Sequence, residues 1–255
     1  QLKSIMTFMG SGTGIGAKAW LEVLSGGLKA QHGKDFMAVK KGNTFAENSF
    51  GTLSTLAALG ARSMAGPPCA SNTLIILDWD DTLLCSSELQ KGPSAVDPEE
   101  LAVLGELAFC LVQLAQSLGP VAIVTNSKDG WVEESAARFL PLLLPIVQQI
   151  PVIYARKEYS ELFPRSSLQW KLQTFLELQR LNASTITNFV VVGDSNDEMT
   201  AAAMLGEQWP GVLVKQVKLL AKPSLSELVQ ELQILLGEFT GVVESMCSER
   251  LDVQL

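Results

Sequence analysis

Acidic and hydroxyl side chains stand directly after apolar runs at three places in this chain. Asp78-Trp79-Asp80-Asp81-Thr82 follows the run 73–77, Thr125-Asn126 closes the run 121–125, and Asp194-Ser195-Asn196-Asp197-Glu198 follows the run 189–193. Lys171 lies on a periodic stretch just before the last of these. Carboxylates gathered in this way can hold an oxygen-seeking divalent cation, pass protons, or attack an electrophile once a cation and a lysine screen the charge. Taken singly, a carboxylate at a strand end is as readily the cap of the next helix. Four pieces in order, each at the end of its own element, point to a site.

The rest of the composition removes competing chemistries. His32 is the single histidine among 255 residues, so centres built on paired histidines are excluded, and a Ser-His-Asp triad would have to run through that residue. Cys69, Cys85, Cys110 and Cys247 form no CxxC pair and read as free thiols of a reducing intracellular compartment, cytoplasm or organelle. A net charge of −8 argues against nucleic acid as a partner. The apolar stretch 140–155 is interrupted by Pro141, Pro145 and Pro151, and the chain reads as not membrane-spanning.

The elements that must position the acidic runs follow from periodicity. Short buried strands are predicted at 73–77, 121–125, 151–155, 189–193 and 212–217. Helices are predicted between them. One starts at the Asp97/Glu100 signal and runs to Gly119-Pro120; the others cover 131–140, 168–181 and about 196–205. The last opens on the capping box Ser224-Leu225-Ser226-Glu227. Strand and helix alternate five times, at spacings that suit right-handed crossovers. The expected fold is α/β, an open doubly wound parallel sheet, with ligands beyond the carboxyl ends of its strands.

Charge divides the chain unevenly. Residues 1–70 have a net charge of +4 and eleven of the 20 glycines, whereas 71–255 have a net charge of −12. The first segment reads as an irregular basic arm ending in the linker Gly66-Pro67-Pro68, the second as an α/β domain over 71–238, and 239–255 as a tail. The chain opens on Gln, which suggests processing or truncation and leaves a plastid or mitochondrion among the expected compartments. Gly10-Ser11-Gly12-Thr13-Gly14-Ile15-Gly16 imitates a nucleotide-binding turn, but no YxxxK follows it, and it is read as a flexible turn. Trp79, Trp131, Trp170 and Trp209 are expected to pack near strand ends, and the Leu-rich segment 139–146 to pack in the core.

With these residues in place, the sequence resembles the haloacid dehalogenase-like (HAD) hydrolase superfamily over about residues 73–236. An apolar strand ending DxDx(T/V) is matched at 74–82, a strand ending in Thr at 122–125, an upstream Lys at Lys171, and the GDxxxD motif at Gly193-Asp194 with Glu198 as second acid. The words DWDDTLL, TNSKDGWVE, LQWKLQTF, VVVGDSNDE and KPSLSELV are similar to a HAD subgroup found mostly in unicellular eukaryotes.

The resemblance implies a phosphatase in which Asp78 is the nucleophile, Asp80 the general acid and base, Thr125 a phosphoryl-oxygen ligand and Lys171 the charge neutraliser. Mg²⁺ would be held by Asp78, Asp194 and the backbone carbonyl of Asp80, with Glu198 or its neighbour Asp197 in support. Asp81 is read as a solvated loop carboxylate or a turn cap. Only 38 residues separate Thr82 from Val121 and 45 separate Thr125 from Lys171, so no substantial cap domain is expected and the open site would suit a large substrate such as a phosphoprotein. The alternative is a non-enzymatic HAD-fold subunit of a larger complex, an organellar and membrane-associated one included, with the arm docking a protein partner.

Overall fold

Apolar residues with β-branched side chains dominate three of the four inner strands, 73–77, 121–125 and 188–193, and every residue of those three is buried. The computed structural model describes residues 67–92, 96–182 and 185–255. The basic arm up to residue 66, with its 10–16 turn, lies outside the described residues. The strands are β1 (Thr73–Leu77), β2 (Val121–Thr125), β3 (Val152–Tyr154), β4 (Asn188–Gly193), β5 (Leu213–Lys218) and β6 (Glu249–Asp252). They form one all-parallel sheet in the order β3-β2-β1-β4-β5-β6. The helices are α1 (Ser86–Lys91), α2 (Pro98–Leu118), α3 (Trp131–Phe139), α4 (Leu144–Val147), α5 (Ala155–Tyr159), α6 (Ser167–Asn182), α7 (Asn196–Gln208) and α8 (Leu225–Glu244).

Strand alternation sorts the core into two layers. Ile75, Leu77, Ile123, Val190 and Val192 point to the face covered by α2, α3 and α8. Leu74, Ile76, Val124, Phe189 and Val191 point to the face covered by α6 and α7. Burial on both faces is what a parallel sheet requires, and it explains why these strands read as unbroken apolar runs. Gly119 ends α2 where a side chain has no room, since a Cβ there would lie 2.9 Å from that of Thr73. Ser224 opens α8 with the predicted capping box, exchanging hydrogen bonds with Glu227.

Three expectations are corrected. The segment 239–255 is not a tail: α8 continues to Glu244 and β6 pairs in parallel with β5. β6 is a four-residue edge strand, Glu-Arg-Leu-Asp, in which only Leu251 is half-buried, too short and too polar a run for periodicity to mark. Among the described residues the helix α2, not the stretch 140–155, is the one long and apolar enough to cross a membrane by length and composition. In this fold α2 lays Leu104, Leu107, Ala108, Leu111, Val112 and Ala115 against the sheet and α8. In the 83–120 interval, α1 is a second helix beside α2.

Within the sheet the chain reverses its winding at β1, which is flanked by β2 on one side and β4 on the other. In an open α/β sheet such a switch point leaves a crevice at the carboxyl ends of the strands. The backbone N–H of Asp78 donates to Val192 O at 2.9 Å, so β1 and β4 remain paired up to the first acidic residue.

Candidate functional site

The loop after β1 sends alternate side chains in opposite directions. Trp79 is fully buried and its indole N–H donates to Ser135 Oγ on α3 at 2.9 Å. Asp78 and Asp80, on either side of it, line a cleft of about 540 Å³ together with Asp81, Thr125, Lys171, Asp194 and Glu198. Asp81 has φ 54°, the left-handed region, which a short polar side chain tolerates when it bonds locally. Its carboxylate accepts from Ser87 N at 2.8 Å and from the Ser86 hydroxyl at 3.4 Å, and so fixes the start of α1. Of the two roles expected for Asp81, solvated loop carboxylate or turn cap, the structure shows the second: the residue is buried and caps the turn.

Three of the predicted acids converge. Carboxylate oxygens of Asp78, Asp194 and Glu198 lie within 4.8 Å of one another. Asp78 comes from the end of β1, Asp194 from the end of β4, and Glu198 from the first turn of α7, whose N-cap Ser195 accepts from Asp197 N at 3.1 Å. Lys171, 1 % exposed on α6, donates to Asp78 Oδ1 at 2.9 Å and to Glu198 Oε1. Gly193 is needed here for space, because a Cβ at that position would overlap the Glu198 carboxylate. Asp197 lies outside the triad and accepts from the Ser167 hydroxyl, so Glu198 is the second acid of this cluster.

Lys171 bonds two of the three carboxylates and Lys218 acts on the third, Asp194, so the cluster keeps more acids than cations and the protonation energetics reflect the imbalance. Burial pushes the Asp78 carboxyl up, and Lys171 opposes it. Burial, with Asp78 and Asp81 nearby, raises Asp194 to about 7. Burial and Asp78 raise Glu198 to about 8 against the pull of Lys171. For Lys171 itself, burial disfavours the charge, but Asp78 and Glu198 outweigh it and hold the ammonium above the ordinary lysine value. Glu198 Oε2 is buried without a hydrogen-bond partner. An orphaned carboxylate oxygen and an oxygen-only donor set suit a hard cation, so this buried triad could bind a metal ion.

The Asp80 carboxylate stands apart from the triad. Trp131 Nε1 donates to Asp80 Oδ1 at 2.8 Å, the Ser127 hydroxyl donates to Oδ2, and Thr125 Oγ1 approaches Oδ2 at 3.4 Å. Thr125, buried at the end of β2, also accepts from Ser127 N at 3.0 Å. Ser127 and Trp131 were not among the site residues expected from sequence. Trp131 was expected to pack near a strand end, and nothing in its spacing indicates where the indole N–H points. Ser127, two residues after a strand-end threonine, carried a weak signal as a further hydroxyl at the same edge.

The comparisons add no relative: no family model, curated protein or solved structure matches the chain.

Proposed function

We propose that this protein is a Mg²⁺-dependent phosphatase of the HAD type, acting through an aspartyl-phosphate on Asp78. The observation that carries the reading is the bridge by which Lys171 joins Asp78 to Glu198 beside Asp194, with the Asp80 carboxylate held separately a few residues on. A nucleophile, its charge partner and a separate proton donor at one strand edge are what displacement at a phosphate dianion needs.

In this reading an Asp78 oxygen attacks phosphorus while the bond to the leaving oxygen breaks. Asp80 gives that oxygen its proton, and afterwards takes one from the water that releases phosphate from Asp78. Thr125 donates to a phosphoryl oxygen, and Lys171 balances charge that builds in the transition state. Asp78, Asp194, Glu198 and the backbone carbonyl of Asp80 would hold Mg²⁺, which supplies charge screening for the incoming dianion. Dehalogenation releases halide and needs no acid two residues after the nucleophile, so phosphoester chemistry is the better fit to Asp80.

The proposed substrate is large, such as a phosphoprotein. In support, described residues 83–120 are used by α1, α2 and their loops, and 126–170 by α3, α4, β3 and α5, leaving little chain for a cap. The test is turnover of p-nitrophenyl phosphate with Mg²⁺ by the wild type and by Asp78→Asn. Turnover lost in the variant supports the phosphatase. No turnover above the variant, with migration in a large assembly, would favour the non-enzymatic subunit instead.

A further inference from the structure

Among the described residues, the indole of Trp131 is the one donor on Asp80 that cannot also accept. Ser127 and Thr125, which face Asp80 Oδ2, carry hydroxyls that donate or accept as they rotate, whereas an indole N–H only donates. A proton on Asp80 would therefore meet a donor at Oδ1 but a willing acceptor at Oδ2. Resting on the phosphatase reading, we propose that Trp131 is a positioning residue that reserves Oδ1 and assigns the transferred proton to Asp80 Oδ2.

The assignment places the proton on the useful side. Oδ2 faces Thr125 and Ser127, the hydroxyls at the end of β2 where the phosphoryl group is proposed to sit. As the phosphorus–oxygen bond of the ester breaks and the bond to Asp78 forms, the Oδ2 proton passes to the leaving oxygen and Asp80 is left ionised.

Trp131 is also held in the frame of the loop it serves. Trp79, between nucleophile and acid, donates to Ser135 Oγ, and Ser135 Oγ donates to the carbonyl of Trp131 at 2.6 Å. The next residue along, Val132, donates its backbone N–H to Tyr154 Oη at 3.2 Å. Gly130, at φ 80°, makes the turn that lets α3 start on Trp131 itself. Two indole bonds in opposite directions, Trp79 to α3 and Trp131 back to the loop, fix the distance between helix and carboxylate.

The experiment compares two esters of similar size, phenyl phosphate, whose leaving oxygen needs a proton, and p-nitrophenyl phosphate, whose leaving group departs without one. Trp131→Phe keeps the ring and removes the N–H. It is expected to lower kcat about thirtyfold on phenyl phosphate but only about threefold on p-nitrophenyl phosphate, with KM within about twofold on both. In an Asp80→Asn background the same substitution is expected to cost less than about twofold on either ester. Equal losses on the two esters, a loss confined to KM, or an undiminished effect in the Asp80→Asn background would overturn the proposal. Wild-type protein that turns over neither ester would overturn it together with the phosphatase reading, whereas equal losses overturn it alone. If Trp131→Phe does not fold, benzothienylalanine at position 131 removes the N–H from an isosteric ring and carries the same expectation.

Discussion

Lys171 Nζ sits 2.9 Å from Asp78 Oδ1, a buried ion pair joining α6 to the end of the central strand, with Glu198 as the second partner of the same ammonium. The cluster is short of positive charge, because Asp194 completes a triad of carboxylates against two lysines, Lys171 and, near Asp194, Lys218.

That imbalance sets a pH dependence. Asp194 and Glu198 have folded values of about 7 and about 8, above those of ordinary carboxylates. A raised carboxyl binds its proton more tightly in the folded state, so its stability contribution is full below the unfolded value and is lost as pH rises through the folded one. Protein in EDTA is expected to show a falling Tm from about pH 5 to about pH 8, and Mg²⁺ to raise Tm most at the upper end, where the ligands are ionised. Lys215, lowered to about 8 by burial, gives an opposite slope only above that pH. Thermal melts check this, and a flat or rising Tm in EDTA over that window would refute it.

Removing the ammonium should cost more than catalysis. Lys171→Ala leaves Asp78 and Glu198 facing each other in the core, and breaking such a buried pair costs about 3–5 kcal/mol. Urea unfolding near neutral pH measures it. The loss should shrink at acid pH, where the two carboxyls can be neutral. A loss independent of pH would mean that packing of the lysine stem, not its charge, is what was removed.

Gly193 and Glu198 are coupled through space. Gly193→Ala must displace the Glu198 carboxylate, with an expected cost of about 1–3 kcal/mol and weakened Mg²⁺ binding. In a Glu198→Ala background the added methyl has room, and most of the stability cost should vanish in the double-mutant cycle. Additive effects would show that the strain at Gly193 lies in its backbone.

Much of this arrangement was readable from residue order. Asp78, Asp194 and Glu198 could be placed together because each lies at or soon after the end of an apolar run, and a parallel sheet brings such ends to one edge; Lys171 joins them from the start of the helix that leads into the last of these runs. The strand alternation of β1, β2 and β4 likewise follows from their uninterrupted apolar runs. Side-chain aim was not readable. The Trp131 indole reaches Asp80 only through the way α3 leaves Gly130, and Asp81 is buried only because its backbone turns into the left-handed region. β6 carries too short a pattern to distinguish from a tail, and α2 passes for a membrane span by composition because residues off its core face are apolar as well, the exposed Val103 among them.

The proposed phosphatase chemistry requires that Asp78 become phosphorylated. Mixing protein, Mg²⁺ and phenyl phosphate, quenching in acid and reducing with borohydride would convert an acyl phosphate at that position to homoserine. Peptide mass spectrometry is expected to find homoserine at position 78 in the wild type and none in Asp78→Asn, with turnover falling by at least about a thousandfold in the variant. Steady turnover by wild-type protein with residue 78 unmodified, or equal turnover by Asp78→Asn, would contradict it.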